Sequence, residues 1–396
     1  MTEPLNIADY RRLAQRRLPR GVFEFVDRGS EDDVAERGNR RAFEALRLRP
    51  RILAGAAPRS LRTRVFDEVC DMPVGIAPVG VAAYMWYRGE MAFAQAAAKM
   101  RIPFVLSGAT SIPMEAVSAC GGPDLKWFQL YVSGDHPRSL QVARRARAAG
   151  YSALLLTVDS LVPYKREFAV RSGFDIPFRM RPSGLWDIAT HPRWLLGTMA
   201  RYMTTGGLPR PIDYPLAAPG TPESRGVAFK DDALDWSFLQ ALREIWPGKL
   251  VVKGVLDPRD AEQCVRCGAD GIVVSNHGGI ALDSALAPIE ALPDIVAAAG
   301  DDLTILLDGG IRRGSDVVKA LALGADLVLV GRAALYALAA NGEQGVVHAL
   351  GLLRDEIGRT LAQVGCRTPM DLTPEYVVGA APNVRRARPA LQESVQ

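Results

Sequence analysis

Apolar residues along this chain gather in short, nearly continuous runs instead of alternating with polar ones. Eight runs stand out: PVGIAPV (73–79), PFVLSGA (103–109), KWFQLYV (126–132), ALLLTVD (153–159), LVVKGV (250–255), GIVVSN (271–276), TILLDGG (304–310) and LVLVGR (327–332). Strands covered on both faces read this way. The stretches between them carry apolar residues at helical spacing, as in EMAFAQAAAKMR, PRSLQVARRARAAG, PIEALPDIVAAAG and SDVVKALALGA. Several of these close on a glycine suited to a helix C-cap. Eight strand–helix units predict a (β/α)8 TIM barrel, an α/β fold, over residues 73–370. An open doubly wound sheet would need a G-x-G-x-x-G turn after its first strand, and IAPVGVAAYMW supplies none.

Three segments lie outside the strand–helix repeat. Residues 1–72 read as a helical cap ending in a short extended stretch, expected on the N-terminal side of the barrel. Residues 160–234 follow the fourth strand and are too long and too rich in Pro and Gly for an ordinary βα loop. They are expected to form a lid over the active site, with Trp186, Trp194 and Leu195 covering it rather than touching a membrane. Residues 371–396 form a C-terminal tail.

Composition narrows the function classes. Hydrophobic residues are 48% and charged ones 23%, ordinary for a soluble enzyme. The formal charge is +4 and the basic side is nearly all arginine, with only seven lysines and no basic block interleaved with aromatics, so nucleic acid is not an expected partner. The N-terminus lacks the apolar stretch of a signal peptide and no run reaches membrane-spanning length, so a cytoplasmic location is expected. Five cysteines, an odd number, argue against a disulfide scaffold. Cys264 and Cys267 form a C-x-x-C, but within an amphipathic helical pattern, and no second ligand pair follows; packing explains them better than metal.

In a barrel, chemistry belongs at the C-terminal ends of the strands. Those ends carry Pro78-Val79-Gly80, Ser107, Gln129 with Tyr131, Thr157 with Asp159, Lys253, Ser275 to His277, Asp308-Gly309-Gly310 with Arg312, and Gly331-Arg332. Glycines and arginines after the last two strands suit a phosphate dianion, which barrels commonly bind there. Lys253 reads either as half of an ion pair or as a cation facing a cofactor that becomes anionic on reduction. With Ser107, Gln129 and Thr157 as hydrogen-bonding groups for a heterocycle, the set suggests a mononucleotide cofactor.

WFQLYV, LTVD, VVKGV, VSNHGG, LLDGGIRRGSDVVKALALGA and VGRA together resemble the FMN-dependent 2-hydroxy acid dehydrogenases and oxidases, a family that includes glycolate oxidase, lactate oxidase and dehydrogenase, and mandelate dehydrogenase. The resemblance runs from NIADYRRLAQRRLPRGVFEFVDRGSEDD to TPMDLTPEYV and is weakest over 160–234. It implies FMN, lined by Ala77, Pro78 and Val79 and hydrogen-bonded by Ser107, Gln129, Thr157 and Ser275. It places Lys253 beside the flavin N1 and C2=O, and Asp308, Gly309, Gly310, Arg312, Gly331 and Arg332 around the ribityl phosphate. It makes His277 the base, Asp159 its stabiliser, Tyr131 a hydrogen-bonding partner of the substrate oxygen, and Arg166 the group facing the substrate carboxylate or carbonyl. It also implies a homo-oligomer, many relatives being tetramers, and O2, a quinone or another carrier as electron acceptor.

Two positions depart from the pattern. The family motif runs S-N-H-G-x-R, and the arginine that clasps the substrate carboxylate is Ile280 here. A carboxylate-binding tyrosine expected after LPRGV is Phe25. The leading expectation is therefore oxidation of a neutral-headed substrate, an alcohol or amine next to a carbonyl, in a biosynthetic pathway. The alternatives are an ordinary 2-hydroxy acid enzyme in which Arg166 and a lid residue replace the clasp, and a non-catalytic flavin-binding protein.

Overall fold

The computed structural model describes residues 3–122, 125–172, 174, 182–213 and 231–379. Eight parallel strands close into a barrel: β1 (Val74–Ile76), β2 (Phe104–Ser107), β3 (Lys126–Leu130), β4 (Ala153–Thr157), β5 (Lys249–Val255), β6 (Gly271–Val274), β7 (Thr304–Leu307) and β8 (Leu327–Val330), with β8 pairing back onto β1. Every predicted run is a strand. Most stop before the predicted end, because ladder pairing ceases where the polar rim begins. The predicted helices are present as α4 (Gly89–Met100), α5 (His136–Ala148), α6 (Pro258–Arg266), α7 (Pro288–Ala299) and α8 (Gly314–Ala322), and a long α9 (Arg332–Val364) follows β8. Cys264 is buried on α6 and Cys267 just after it, and all five cysteines are free.

The apolar runs conceal an alternation that the barrel resolves. Val105, Trp127, Leu155, Val251, Val273, Leu306 and Leu329 form one buried cluster inside the barrel. Their neighbours Leu106, Phe128, Leu154, Val252, Ile272, Ile305 and Val328 join the larger core beneath the helices. Side chains repeat every second residue along a strand. Two residues beyond the inward set therefore come Ser107, Gln129, Thr157, Lys253, Ser275, Asp308 and Gly331, on the same face and at the C-terminal rim. The polar ring is the inner wall of the barrel carried one step past its apolar filling.

The cap comprises α1 (Ile7–Arg17), α2 (Arg20–Asp27) and α3 (Val34–Ala45). Its placement corrects the expectation: α2 and α3 lie at the C-terminal mouth. Asp283, in the loop after β6, accepts the N–H groups of Asp32 (3.0 Å) and Ala35 (3.3 Å), satisfying donors that the start of α3 leaves open. The ribbon pairing Thr63–Val65 with Glu68–Cys70 closes the opposite end, where Phe66 meets the inward Trp127 edge-on at 5.6 Å. The C-terminal segment returns to the cap, Val377–Val378 pairing with Arg47–Leu48; residues 380–396 of the expected tail lie outside the described residues.

Of the expected lid, residues 173, 175–181 and 214–230 lie outside the described residues. The rest includes helices Glu167–Ser172 and Pro182–Ala189 and a helical stretch from Pro192 to Thr205 with a π-turn at Leu195–Met199. Trp194 is 2% exposed and its indole N–H bonds the Tyr84 carbonyl at 2.7 Å, so it anchors this segment to the barrel. Trp186 is 75% exposed. Neither tryptophan nor Leu195 lines the central cavity, contrary to expectation; the wall on this side comes from residues 160, 163–167, 170 and 211.

Candidate active site

The rim encloses a cavity of about 630 Å³. His277 stands on its wall with φ +56°, a left-handed conformation that costs a non-glycine residue roughly 1–2 kcal/mol. The loop is held in that shape. Ser275 Oγ accepts the His277 N–H at 3.0 Å, and Asn276 Oδ1 accepts the Gly279 N–H at 3.1 Å. The imidazole Nδ1 lies 2.8 Å from Asp159 Oδ1, and Nε2 lies 3.5 Å from the Tyr131 hydroxyl. An ionised carboxylate only accepts, so Nδ1 carries the proton and Nε2 is left as the basic nitrogen. Asp159 reaches this position because residue 254 is glycine: with φ +112°, a Cβ there would stand 2.6 Å from the Asp159 Cβ.

Lys253 is 2% exposed and anchors the charge pattern beneath the base. Its Nζ donates to Ser275 Oγ at 3.0 Å and lies 3.5 Å from Asp308 and 3.8 Å from Asp159. Burial pulls its pKa down, but the two carboxylates outweigh that and hold it above the ordinary value. Burial pushes Asp159 up, but His277 and Lys253 outweigh it and the carboxyl sits below its ordinary value. The cluster is therefore charged at neutral pH. Beside it, the Gln129 amide oxygen accepts from Ser107 Oγ (3.1 Å) and the Gly108 N–H (3.2 Å), while its nitrogen donates to Thr157 Oγ1 (2.9 Å). Ser107, Gln129, Thr157, Ser275 and Asp159 lie behind the cavity lining rather than on it; the other predicted residues all line it.

One end of the cavity is formed by Gly309, Gly310, Arg312, Gly331 and Arg332. Gly310 has φ +83° and a Cβ there would lie 2.9 Å from the Asn39 carbonyl oxygen, so only glycine lets the backbone pass under α3. Arg312 has its pKa lowered by burial and by the neighbouring Arg332 and Arg40. Arg332 donates to the carbonyls of Val26 (2.8 Å), Gly278 (2.7 Å) and Arg28 (3.0 Å), fixing the cap to the rim. Its Cα is the first residue of α9, whose opening N–H groups add to an anion-favouring end. Phe25, Ile280, Val81, Tyr84, Val170 and Pro211 add apolar lining to the same cavity, together with Arg166 and Tyr164.

A profile described as FMN-dependent dehydrogenase matches residues 14–379. The chain belongs to the FMN-dependent dehydrogenase family. It is 41% identical over 376 residues to (S)-mandelate dehydrogenase of Pseudomonas putida, covering 94% of this chain and 93% of that one. It is 40% identical over 372 residues to an L-lactate dehydrogenase of Pseudomonas paraeruginosa, covering 93% and 97%. A crystal structure titled monotopic membrane protein (S)-mandelate dehydrogenase superposes with a TM-score of 0.88 at 39% identity, over 96% of this chain and all of that one. The chain is thus an FMN-dependent oxidoreductase with the barrel of its relatives. Among the described residues no helix is long and apolar enough to cross a membrane.

The residues of this FMN-dependent dehydrogenase fit the cofactor. Asp308 Oδ1 is buried without a hydrogen-bond partner among the described residues, an acceptor suited to a hydroxyl. The mutually repelling Arg312 and Arg332 suit a dianion, and the glycine at 310 leaves backbone where a side chain would intrude. Sequence reasoning missed Asn39, Asp283 and Tyr164. The first two act through partners more than 200 residues away, and Tyr164 sits in a stretch with no periodic pattern.

Proposed function

We propose that this chain oxidises 2-hydroxy acids of the mandelate and lactate type, favouring a bulky apolar substituent. The observation that carries this reading is His277, fixed by Asp159 through Nδ1 and presenting Nε2 beside Tyr131 to the same cavity that Arg166 lines. Taken alone, Phe25 and Ile280 point to a neutral-headed substrate. Chains about 40% identical over nearly their whole length and named for mandelate and lactate support the acid instead. A cation for its carboxylate is at hand in Arg166. Lys165 is exposed and paired with Glu167, Lys253 lies between its two carboxylates, and Arg332 already serves three backbone carbonyls.

FMN, when bound, accepts the two electrons that leave the substrate. Ala77, Pro78 and Val79 would line it, and Lys253 would offset charge at N1 and C2=O; Ser107, Gln129, Thr157 and Ser275, just behind that lining, would hydrogen-bond its ring system by exchanging the bonds they now make to one another and to Lys253. Asp308 would accept from a ribityl hydroxyl, and Gly309, Gly310, Arg312, Gly331 and Arg332 would hold the ribityl phosphate. His277 Nε2 takes a proton from the substrate, Asp159 stabilises the resulting imidazolium, and Tyr131 bonds the substrate oxygen. Anaerobic mixing of the FMN-loaded protein with (S)-mandelate, L-lactate and the primary amide of mandelate tests this. Mandelate should bleach the flavin fastest. Rapid bleaching by the amide with none by either acid would overturn the assignment.

The outer face of residues 185–212 supports docking on a membrane surface, with a carrier there as electron acceptor. Leu185, Trp186, Leu196, Met203, Leu208 and Ile212 are exposed. Arg193, Arg201 and Arg210 lie among them, and no acid occurs from 188 to 212. Co-sedimentation with anionic vesicles, lost on Trp186→Ser with Leu196→Ser, is the expected result; equal recovery of both proteins in the supernatant would exclude docking.

A further inference from the structure

The guanidinium carbon of Arg166 lies 4.5 Å from the centre of the Phe25 ring and 5.5 Å from that of Tyr164. The rings come from distant parts of the chain, Phe25 from α2 and Tyr164 from the loop after β4. Both are themselves fixed. Phe25 meets Phe174 edge-on at 5.4 Å, and the Tyr164 hydroxyl bonds Ser160 Oγ, next to Asp159. Tyr164 also meets the His277 ring, centre to centre at 6.1 Å and inclined at 63°.

A guanidinium is weakly hydrated on its faces and carries its N–H donors in its plane. Aromatic rings bind the faces of such a cation and so do not compete for its in-plane donors. A long side chain fixed before the ligand arrives also avoids the ordering cost that otherwise weakens binding. This matters because Ile280 cannot share the carboxylate.

We propose that Tyr164 and Phe25 are positioning residues that hold Arg166 as a pre-set carboxylate anchor, with Tyr164 fixing the distance between that anchor and His277. The proposal rests on the 2-hydroxy acid reading above. It explains how a pocket with apolar groups at 25 and 280 still accepts an acid: one arginine, stiffened by two rings, stands in for a clasp.

The test is binding rather than turnover. FMN-loaded protein is titrated with phenylacetate and with phenylacetamide, neither of which has a hydroxyl to oxidise, and the flavin absorbance change is followed. Wild type should prefer the acid by at least about tenfold. Tyr164→Leu and Phe25→Leu should each lose about tenfold in affinity for the acid and little for the amide, with FMN content unchanged. Tyr164→Phe, which keeps the ring but loses its bond to Ser160 Oγ, should retain more of the acid affinity than Tyr164→Leu. If Tyr164→Leu and Phe25→Leu weaken both ligands alike, or neither, the rings are only a wall and the proposal fails. If wild type itself does not distinguish acid from amide, Arg166 anchors no carboxylate and the 2-hydroxy acid reading falls first. Should Tyr164→Leu fail to retain FMN, Phe25→Leu decides.

Discussion

Asn39 and Asn276 face each other across the barrel mouth and exchange two amide hydrogen bonds, of 2.9 and 2.7 Å. Asn276 immediately precedes His277, and its Oδ1 also accepts the Gly279 N–H. The conformation of the His277 loop is thus fixed from α3, a helix that contributes nothing to the barrel wall.

Removing that partner takes two of its four hydrogen bonds from a buried amide. Asn39→Ala should cost about 1–3 kcal/mol of stability in urea unfolding. It should also slow flavin reduction, because His277 is no longer held in its left-handed conformation. Unchanged stability and rate together would show that the pair is incidental.

His277→Ala should keep its FMN and lose at least about 10²-fold in the rate of flavin reduction. Asp159→Asn should also slow reduction, since a neutral amide stabilises the imidazolium less. Stopped-flow absorbance measures both; a wild-type rate in the His277 variant would place the base elsewhere.

The two arginines at the phosphate end should separate. Arg312→Ala should weaken FMN retention while changing the stability of the apo-protein little. Arg332→Ala should do both, because the carbonyls of Val26, Gly278 and Arg28 lose their donor. Flavin fluorescence on dilution and thermal melts of apo-protein give the two readouts.

The buried charge cluster sets a pH window. Asp159 lies below its ordinary 3.8, so its contribution to stability is present above that value and lost as pH falls through the depressed pKa. Lys253 lies above its ordinary 10.5, so its contribution is complete below that value and lost as pH rises through the raised pKa. Lys253→Met leaves two buried carboxylates without their cation. It should cost roughly 3–5 kcal/mol near neutrality and move the acid limb of the stability curve to higher pH. Urea midpoints across the acid and neutral range would show an unmoved limb if the lysine were not the partner.

The barrel was legible because each strand is buried on both faces and ends in polar residues, so run and rim were both visible in one dimension. His277, Asp159, Lys253 and Arg312 could be picked out as strand-end groups. What could not be read was how distant segments meet. Asn39 sits among charged residues in VAERGNRRAFEA and looks like a solvated helical position, yet it is 2% exposed. Asp283 looks like a turn residue and instead caps α3 from 248 residues away. The cap's position at the C-terminal mouth rests on such pairings, which leave no periodic trace. Phe25 and Ile280 were found as departures, but their meaning depended on Arg166 standing against the Phe25 and Tyr164 rings.

Arg332 joins two structures that the chain makes at opposite ends of its synthesis, the cap at α2 and the barrel rim at the start of α9. Linkage is reciprocal: whatever a bound phosphate adds to the hold of this arginine on residues 26 and 28, a docked cap returns as tighter hold on the phosphate. With the proposed phosphate contact at Arg332, FMN loading and seating of the cap around Phe25 are expected to occur together. Chains that outnumber the available flavin would leave their first thirty residues loosely seated, and proteases would find them there first.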